Sequence, residues 1–346
     1  MENQTSKPIK VAVVGLGRAG WGLHVKRMRG DDRFAITAVA DLDESRREEA
    51  QREFGCQTFS NFEELLKSAD CEVIVIASQS VDHGPQTIAT LQSGRHVVVE
   101  KPMAMNTDEA TRMIEAAEAA DKKLFVHQNY RYNPDVRHIQ EVLQSGLLGR
   151  VFEIRIRVLS FARRNDWQTL KKFGGGNLNN TCPHFIDAAL LLLDSPVKRM
   201  FSDLQLTTDV GDADDHAKIL LKGENGRVID LEVSTSCAWS EPKWTLLGTT
   251  GTLRSDGQKS EIKYFDPAQL QPMEVDEAPP AGRKYGSGEI LPWQEETRPS
   301  LADVSTDFYD NVYAVIRESK EMDITPEHVR EIIRIIETAH RENPTL

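Results

Sequence analysis

The stretch "VAVVGLGRAG" occupies Val11 to Gly20. The run "IKVAVV" (Ile9 to Val14) that leads into it is almost continuously apolar and β-branched, as suits a strand covered on both faces. Gly15, Gly17 and Gly20 then follow in G-x-G-x-x-G spacing, with Leu16, Arg18 and Ala19 between them. That spacing alone is a weak signal. Its setting makes it specific: a strand before, a helical segment after, and Asp41 closing the next strand 21 residues beyond Gly20. Together these form a dinucleotide-binding fingerprint. Gly15 permits the tight turn, Gly17 lets a pyrophosphate approach the backbone, and Gly20 allows helix to pack closely on strand. The helix N-terminus offers unpaired N–H groups and a positive dipole end to the phosphates. Asp41 would accept hydrogen bonds from a ribose 2′-OH and repel a 2′-phosphate. NAD is therefore expected, with NADP kept open because Arg46 or Arg47 could approach the extra phosphate.

Outward from this loop, "AITAVA", "EVIVIA", "HVVVE" and "KLFV" alternate with helical segments such as "DESRREEAQREF" and "NTDEATRMIEAAEAAD". Asn106 and Thr107 open the second of these with helix-start chemistry. Strands alternating with helices give βαβ units and a doubly wound parallel sheet over residues 1–127. His24 and Trp21 are expected simply to pack its first helix. After "NYRYNPD" the texture changes, and residues 128–346 read as a second α/β domain. A helix is expected over about 135–147, then an alternating strand, "RVFEIRIRVLSF", and an apolar helix, "PHFIDAALLLL". Hairpins are expected in "HAKILLKGENGRVIDLEVS", with its Asn-Gly turn, and in "WTLLGTTGTLRSD". Residues 265–300 read as a long surface loop, and helices over about 301–319 and 326–342 close the chain.

A net charge of −12 argues against nucleic acid or an anionic membrane as the main partner. The four cysteines show no CxxC and no zinc spacing, which suggests reduced thiols. The polar N-terminus has no apolar signal core, and no run approaches the roughly 20 apolar residues of a membrane span. A cytoplasmic protein is the expectation.

Three further features carry chemistry. "HVVVEKP" ends a buried strand on Glu100, Lys101 and Pro102, at the edge where doubly wound sheets bind ligands. Pro102 fixes the turn and is a candidate cis residue. The Lys101 ammonium can point over the cofactor cleft, and Glu100 can form an ion pair or bond the cofactor; without other information the pair reads equally as a solvated strand cap. "FGGGNLNNTCPHFID" places His184 at a helix start behind three glycines, with Asn180 four residues before it and Asp187 three after. A histidine there is more often a hydrogen-bonded core residue than a catalyst, but the glycines allow a ligand close approach. Asp187 could lend it negative charge. Asp212, Asp214, Asp215 and His216 in "GDADDHAKIL" suggest a metal, yet acids before a strand are commonly turn formers, and no metal is expected.

"GLGRAG", "EKP" and "GGGNLNNTCPHFID", in this order, resemble the glucose–fructose oxidoreductase/inositol dehydrogenase (Gfo/Idh/MocA) family. The likeness extends over almost the whole chain, through "NYRYNP" and "ITPEHVREIIRIIETA". It implies a Rossmann domain followed by an α/β domain with a large, mainly antiparallel, open-faced sheet. It also implies an NAD(P)-dependent dehydrogenase of a sugar, cyclitol or related polyol, assembled as a dimer or tetramer through the open sheet face. Lys101 matches the family's EKP lysine and His184 its catalytic histidine. Ser78, Gln79 and His83 fall where the family touches the cofactor, and Arg163, Arg164, Trp167 and Lys172 flank the implied pocket with Tyr130. Many members carry Asp where this chain has Asn180, an amide that can orient an imidazole or bind substrate but cannot stabilise an imidazolium by charge. Two other activities stay open: an NAD-dependent glycoside hydrolase of the same family, and a non-catalytic dinucleotide-binding regulator.

Overall fold

In the computed structural model, which describes residues 7–208, 210–275, 289–299 and 306–344, the β-branched runs become strands buried on both faces. They are β1 (Ile9–Val14), β2 (Phe34–Ala40), β3 (Gln57–Phe59), β4 (Val73–Ile76), β5 (His96–Val99) and β6 (Leu124–Val126). All run parallel, in the order β3-β2-β1-β4-β5-β6. The strand β3 was not anticipated, because three residues carry no readable period. Between the strands lie α1 (Lys26–Met28), α2 (Glu44–Phe54), α3 (Phe62–Ser68), α4 (Ser80–Gln92) and α5 (Thr107–Ala120). The Asn106 side chain caps α5 by accepting the Glu109 N–H at 2.8 Å, as its position predicts. Strand order reverses between β1 and β4, so a crevice opens beyond their carboxyl ends, where ligands bind in such sheets.

The segment after the glycine loop is not a regular α-helix. Gly20–Val25 form a π-helix that continues into α1, a wider turn of a kind often found at functional sites.

The second half contains α6 (Pro134–Gln144), β7 (Val151–Leu159), α7 (Asn177–Asn180), α8 (Cys182–Leu193), β8 (Val197–Gln205), β9 (His216–Gly223), β10 (Val228–Ser234), β11 (Trp244–Gly248), β12 (Gly251–Ser255), β13 (Lys259–Tyr264), β14 (Gln294–Pro299), α9 (Phe308–Glu318) and α10 (Pro326–Glu342). Its eight-stranded sheet has the order β14-β13-β12-β11-β7-β10-β9-β8. Only the β7–β10 pair is parallel. Both expected hairpins form, and Gly226 takes a φ of +83° in the Asn-Gly turn. The segment 265–300 is not all loop: Gln294–Pro299 pairs with β13 as an edge strand. Residues 276–288 and 300 of that segment, and 301–305 of the helix expected over 301–319, lie outside the described residues.

Alternation along the strands buries Ile154, Ile156, Ile219, Leu221, Ile229 and Leu231 on one face. The opposite face carries ion pairs, among them Arg157–Asp230 at 2.5 Å and Lys218–Glu232 at 3.0 Å, beside the exposed Phe201. It is therefore a mixed surface, not the continuous apolar patch that alternation alone suggests. The last two helices return to the first sheet. Tyr309 and Tyr313 of α9 meet Phe34 edge-on, and α10 packs on α5 and α8. Val329, Ile332, Ile335 and Ala339 form the buried stripe of α10, each large side chain contributing about 1.5–3 kcal/mol.

The glycines make this loop testable. A Cβ on Gly20 would collide with the Gly15 carbonyl oxygen, whereas one on Gly17 would have no neighbour within 4 Å. Denaturant melts should show Gly20→Ala destabilised by about 1–3 kcal/mol and Gly17→Ala unchanged. Equal stabilities would refute this account of the loop.

Candidate active site

The glycine loop lines the crevice between β1 and β4. Gly15 has a φ of +86°, and any side chain on it would strike the Ala77 carbonyl beyond β4. Gly17 is open, and Arg18 beside it is exposed. This backbone surface free of side chains is what a pyrophosphate needs, so the residues present fit a dinucleotide. Leu16 donates its N–H to Asp41 Oδ2 at 2.6 Å, and Asp43 donates to Asp41 Oδ1 at 2.8 Å. Asp41 is thus fixed at the end of β2, with Arg46 at 3.5 Å. Across the crevice, Ser78 bonds Gln86 at 2.8 Å, and Gln79 precedes α4 without a side-chain cap bond. His83 lies deeper: it is buried, and its Nδ1 donates to the Pro102 carbonyl at 2.7 Å. It holds the turn that follows β5.

That turn contains the cis Lys101–Pro102 peptide. Lys101 reaches from it to the second half, where its Nζ donates to the backbone carbonyl of Asn180 at 3.0 Å. The last carbonyls of a helix have no partner within it, so the end of the short α7 presents an acceptor to the ammonium. Burial pushes the Lys101 pKa below its ordinary value; nearby Glu100 counteracts this and Arg18 adds to it.

Asn180 meets Lys101 through its backbone, not its side chain. Its Nδ2 donates to the Gly176 carbonyl at 3.0 Å, so the amide closes its own turn and makes no hydrogen bond to His184. His184 stands one turn further on, in the first turn of α8. Its Nδ1 is buried with no hydrogen-bond partner among the described residues, and its ring lies 5.9 Å from that of Tyr130. Burial, with the Lys101 charge, lowers its pKa to about 4. Asp187 lends His184 some negative charge, which raises its pKa without outweighing burial, but it makes no hydrogen bond to the ring. Arg131 Nε and Nη2 donate to the Asp187 carboxylate at 2.9 and 2.5 Å, and His328 Nε2 lies at 3.0 Å. Burial raises the Asp187 pKa, but His328 and Arg131 outweigh it and hold the group below its ordinary range.

Tyr130 offers its ring to the site, while its hydroxyl is engaged by Lys243 and Asp135. The loop after β7 divides its residues. Arg164, paired with Asp166 at 2.6 Å, lines a small pocket with Gln168, Thr169, Gly176, Asn177 and Asn180. Arg163 and Trp167 are exposed and outside that lining, and Lys172 is exposed with its Nζ over the Phe173 ring. The acids of "GDADDHAKIL" bind backbone: Asp212 accepts from Lys171, Asp214 from Leu178, and Asp215 from Thr207 and Thr208.

Glu100 is where sequence reasoning fell shortest. It is only 6% exposed. His24 Nε2 donates to its Oε1 at 2.9 Å, His127 Nδ1 donates to the same oxygen at 2.6 Å, and the Lys101 N–H reaches Oε2 at 3.1 Å. The Tyr309 hydroxyl bonds His24 Nδ1 at 2.6 Å. His24 is therefore a polar member of a buried cluster rather than helix packing, and Glu100 faces that cluster rather than the crevice. Trp21, by contrast, does pack, edge-on to Phe54. One sequence signal was available, since a buried acid at a strand end requires partners and His127 ends the neighbouring strand.

Two family models match the chain. The first, an oxidoreductase family with an NAD-binding Rossmann fold, covers residues 9–128. The second, a GFO/IDH/MocA C-terminal domain, covers residues 136–254. The chain belongs to the Gfo/Idh/MocA family. It is an NAD(P)-dependent oxidoreductase of that family. A myo-inositol 2-dehydrogenase of Thermotoga maritima is 25% identical over 255 residues, 72% of this chain and 75% of that one. A scyllo-inositol 2-dehydrogenase (NADP(+)) of Bacillus subtilis is 24% identical over 344 residues, 96% of this chain and 92% of that one. Among solved structures, an NAD-binding protein from Listeria innocua superposes with a TM-score of 0.81 at 27% identity, covering 98% of this chain and 96% of that one. Among the described residues, no helix of this Gfo/Idh/MocA protein is long and apolar enough to cross a membrane.

The Asp187 cluster gives a stability test. Asp187→Asn leaves Arg131 buried without a counter-charge, which should cost about 3–5 kcal/mol near neutral pH. The folded pKa of Asp187 is depressed, so its contribution is present above the unfolded carboxyl value of about 4 and is lost as pH falls through the folded value. Urea unfolding should show the gap between wild type and variant closing in acid. A gap independent of pH would contradict the assignment.

Proposed function

We propose that the protein interconverts a secondary alcohol and a ketone on a sugar, sugar derivative or cyclitol, with Lys101 and His184 as its catalytic residues. The observation that carries this reading is their convergence. The Lys101 ammonium is held on the Asn180 carbonyl, one helical turn before His184, beside the crevice of the glycine loop. The names of the inositol dehydrogenase relatives support a polyol substrate.

When bound, the nicotinamide supplies the redox chemistry; the residues supply position and proton transfer. His184, with its pKa lowered to about 4, is neutral at physiological pH and able to accept the hydroxyl proton as general base. Lys101 donates a hydrogen bond to the same oxygen and stabilises the negative charge developing there. In reduction the proton returns from His184 to that oxygen. The ring of Tyr130 walls the imidazole on one side, and its engaged hydroxyl keeps that wall fixed.

NAD is the proposed preferred cofactor. Asp41 is bonded to the start of the glycine loop through the Leu16 N–H, and Arg46 is drawn toward both Asp41 and Asp43, away from a role as phosphate partner. Fluorescence titration should show NADH binding tighter than NADPH, with the difference reduced in Asp41→Ala. Equal or tighter NADPH binding would remove this assignment.

Turnover of myo-inositol, scyllo-inositol and methyl glucosides with NAD is the direct assay. Lys101→Ala and His184→Ala should each lose about 10²- to 10⁴-fold in kcat/KM while binding NADH normally. Near-wild-type turnover in either variant would cancel that residue's role. For oxidation, kcat/KM should fall only toward about pH 4, where His184 protonates. Reduction requires the imidazolium, so it should decline as pH rises through the same value.

A further inference from the structure

The four side chains Tyr309, His24, Glu100 and His127 form a chain of hydrogen bonds drawn from four separate elements. Tyr309 lies on α9, His24 on the π-helix that follows the glycine loop, Glu100 just beyond β5, and His127 just beyond β6. The parallel register sets Val99 against Val126, so Glu100 and His127 are adjacent by construction. All four are buried.

With Glu100 ionised, proton counting sets the tautomers of the cluster. A carboxylate accepts only, and a neutral imidazole has one donor and one acceptor. Glu100 Oε1 faces His24 Nε2 and His127 Nδ1, so each ring carries its hydrogen on that nitrogen. His24 Nδ1 is then an acceptor, and the Tyr309 hydroxyl donates to it. Glu100 Oε2 accepts the Lys101 backbone N–H. Two neutral rings and one ionised carboxylate satisfy every one of these contacts. Burial raises the Glu100 pKa, but the hydrogen bonds from His127 and His24 outweigh it and hold the carboxyl well below its ordinary range, so it is ionised. Glu100 therefore carries its negative charge beside Lys101, whose backbone N–H it accepts.

We propose that Glu100 is a positioning residue, clamped by His24 and His127 so that its charge keeps the half-buried Lys101 side chain protonated and aimed at the Asn180 carbonyl. Its catalytic meaning rests on Lys101 acting as proposed above, but the electrostatic relation does not. The groups that face the ammonium leave few alternatives. Asn180 offers a neutral carbonyl, Arg18 repels, and His184 feels Lys101 as an unfavourable charge. Glu100 is the acid whose field reaches it, and burial otherwise favours the neutral amine. The same three ligand atoms of His24, Glu100 and His127 lie within 4.8 Å of one another, close enough for a metal ion. A metal would require the facing ring nitrogens without their hydrogens and would destroy the clamp, so the two readings exclude each other.

The test reads Lys101 itself. Competitive labelling with acetic anhydride across pH, followed by mass spectrometry, gives its apparent pKa in the full-length protein without any substrate. Glu100→Gln should lower that value by about one unit or more, with NADH binding, followed by fluorescence, reporting an intact crevice. If Glu100→Gln fails to fold, a second pair decides. His127→Asn keeps an N–H donor where Nδ1 stood and should titrate like wild type, whereas His127→Leu removes it and should shift Lys101 downward. A Lys101 titration unchanged in Glu100→Gln, or identical in the two His127 variants, would overturn the proposal. So would one equivalent of zinc in the wild-type protein. Because the measurement uses no polyol, inactivity toward every sugar tested would count against the proposed reaction and leave this result readable.

Discussion

A carboxylate sealed from water at the end of a strand is the constraint around which this structure is arranged. Removing such a charge from water is unfavourable unless donors surround it, and Glu100 has three of them. Two of those donors are distant in sequence. One comes from the neighbouring strand end and one from the helix that opens the dinucleotide crevice, itself held by a tyrosine more than two hundred residues further on. Docking of α9 on the first sheet is thus bound up with the same group that backs Lys101. The ion pairs of Arg27 and Arg33 with Asp307 and Asp310 fasten the same helix nearby.

The site joins elements from both halves by exploiting the ends of regular structure. β5 ends in a cis turn that His83 holds from below. The short helix α7 ends at Asn180, leaving a carbonyl free to accept the lysine, and α8 begins immediately after with His184 in its first turn. Each catalytic candidate therefore sits where backbone hydrogen bonding is incomplete and side chains converge. The glycines before α7 serve the same purpose. A Cβ on Gly176, whose φ is +100°, would meet the Asp214 carboxylate, which also accepts the Leu178 N–H and anchors that helix.

Electrostatically the site differs from the molecule that carries it. The chain has a formal net charge of −12, yet Arg18 and Lys101 bring positive charge to the crevice, and the acids closest to the site are committed. Asp187 is paired with Arg131 and contacted by His328, and Asp214 and Asp215 are spent on backbone amides. With Asn180 in place of an acid, His184 has no carboxylate hydrogen-bonded to it. Burial and Lys101 then depress its pKa, the direction that suits a general base. A buried unpaired Nδ1 is the remaining cost.

The sequence by itself determined the parallel sheet, the dinucleotide loop, the Asn106 helix cap, the Asn-Gly hairpin and the candidate pair Lys101 and His184. These rest on local rules: apolar runs for buried strands, glycine where a side chain would strike backbone, and motifs whose members are close in the chain. What only tertiary structure decided involves partners distant in sequence or features too short to have a period. The strand β3, the edge strand Gln294–Pro299 and the π-helix after the loop belong to the second kind. To the first belong the commitment of Asp187 to Arg131 and His328, the engagement of the Tyr130 hydroxyl by Lys243, and the enclosure of Glu100 by His24, His127 and Tyr309. A buried acid at residue 100 announced that it needed donors. Which donors answered depended on strand order and on where α9 comes to rest, and neither is written in any single stretch of the chain.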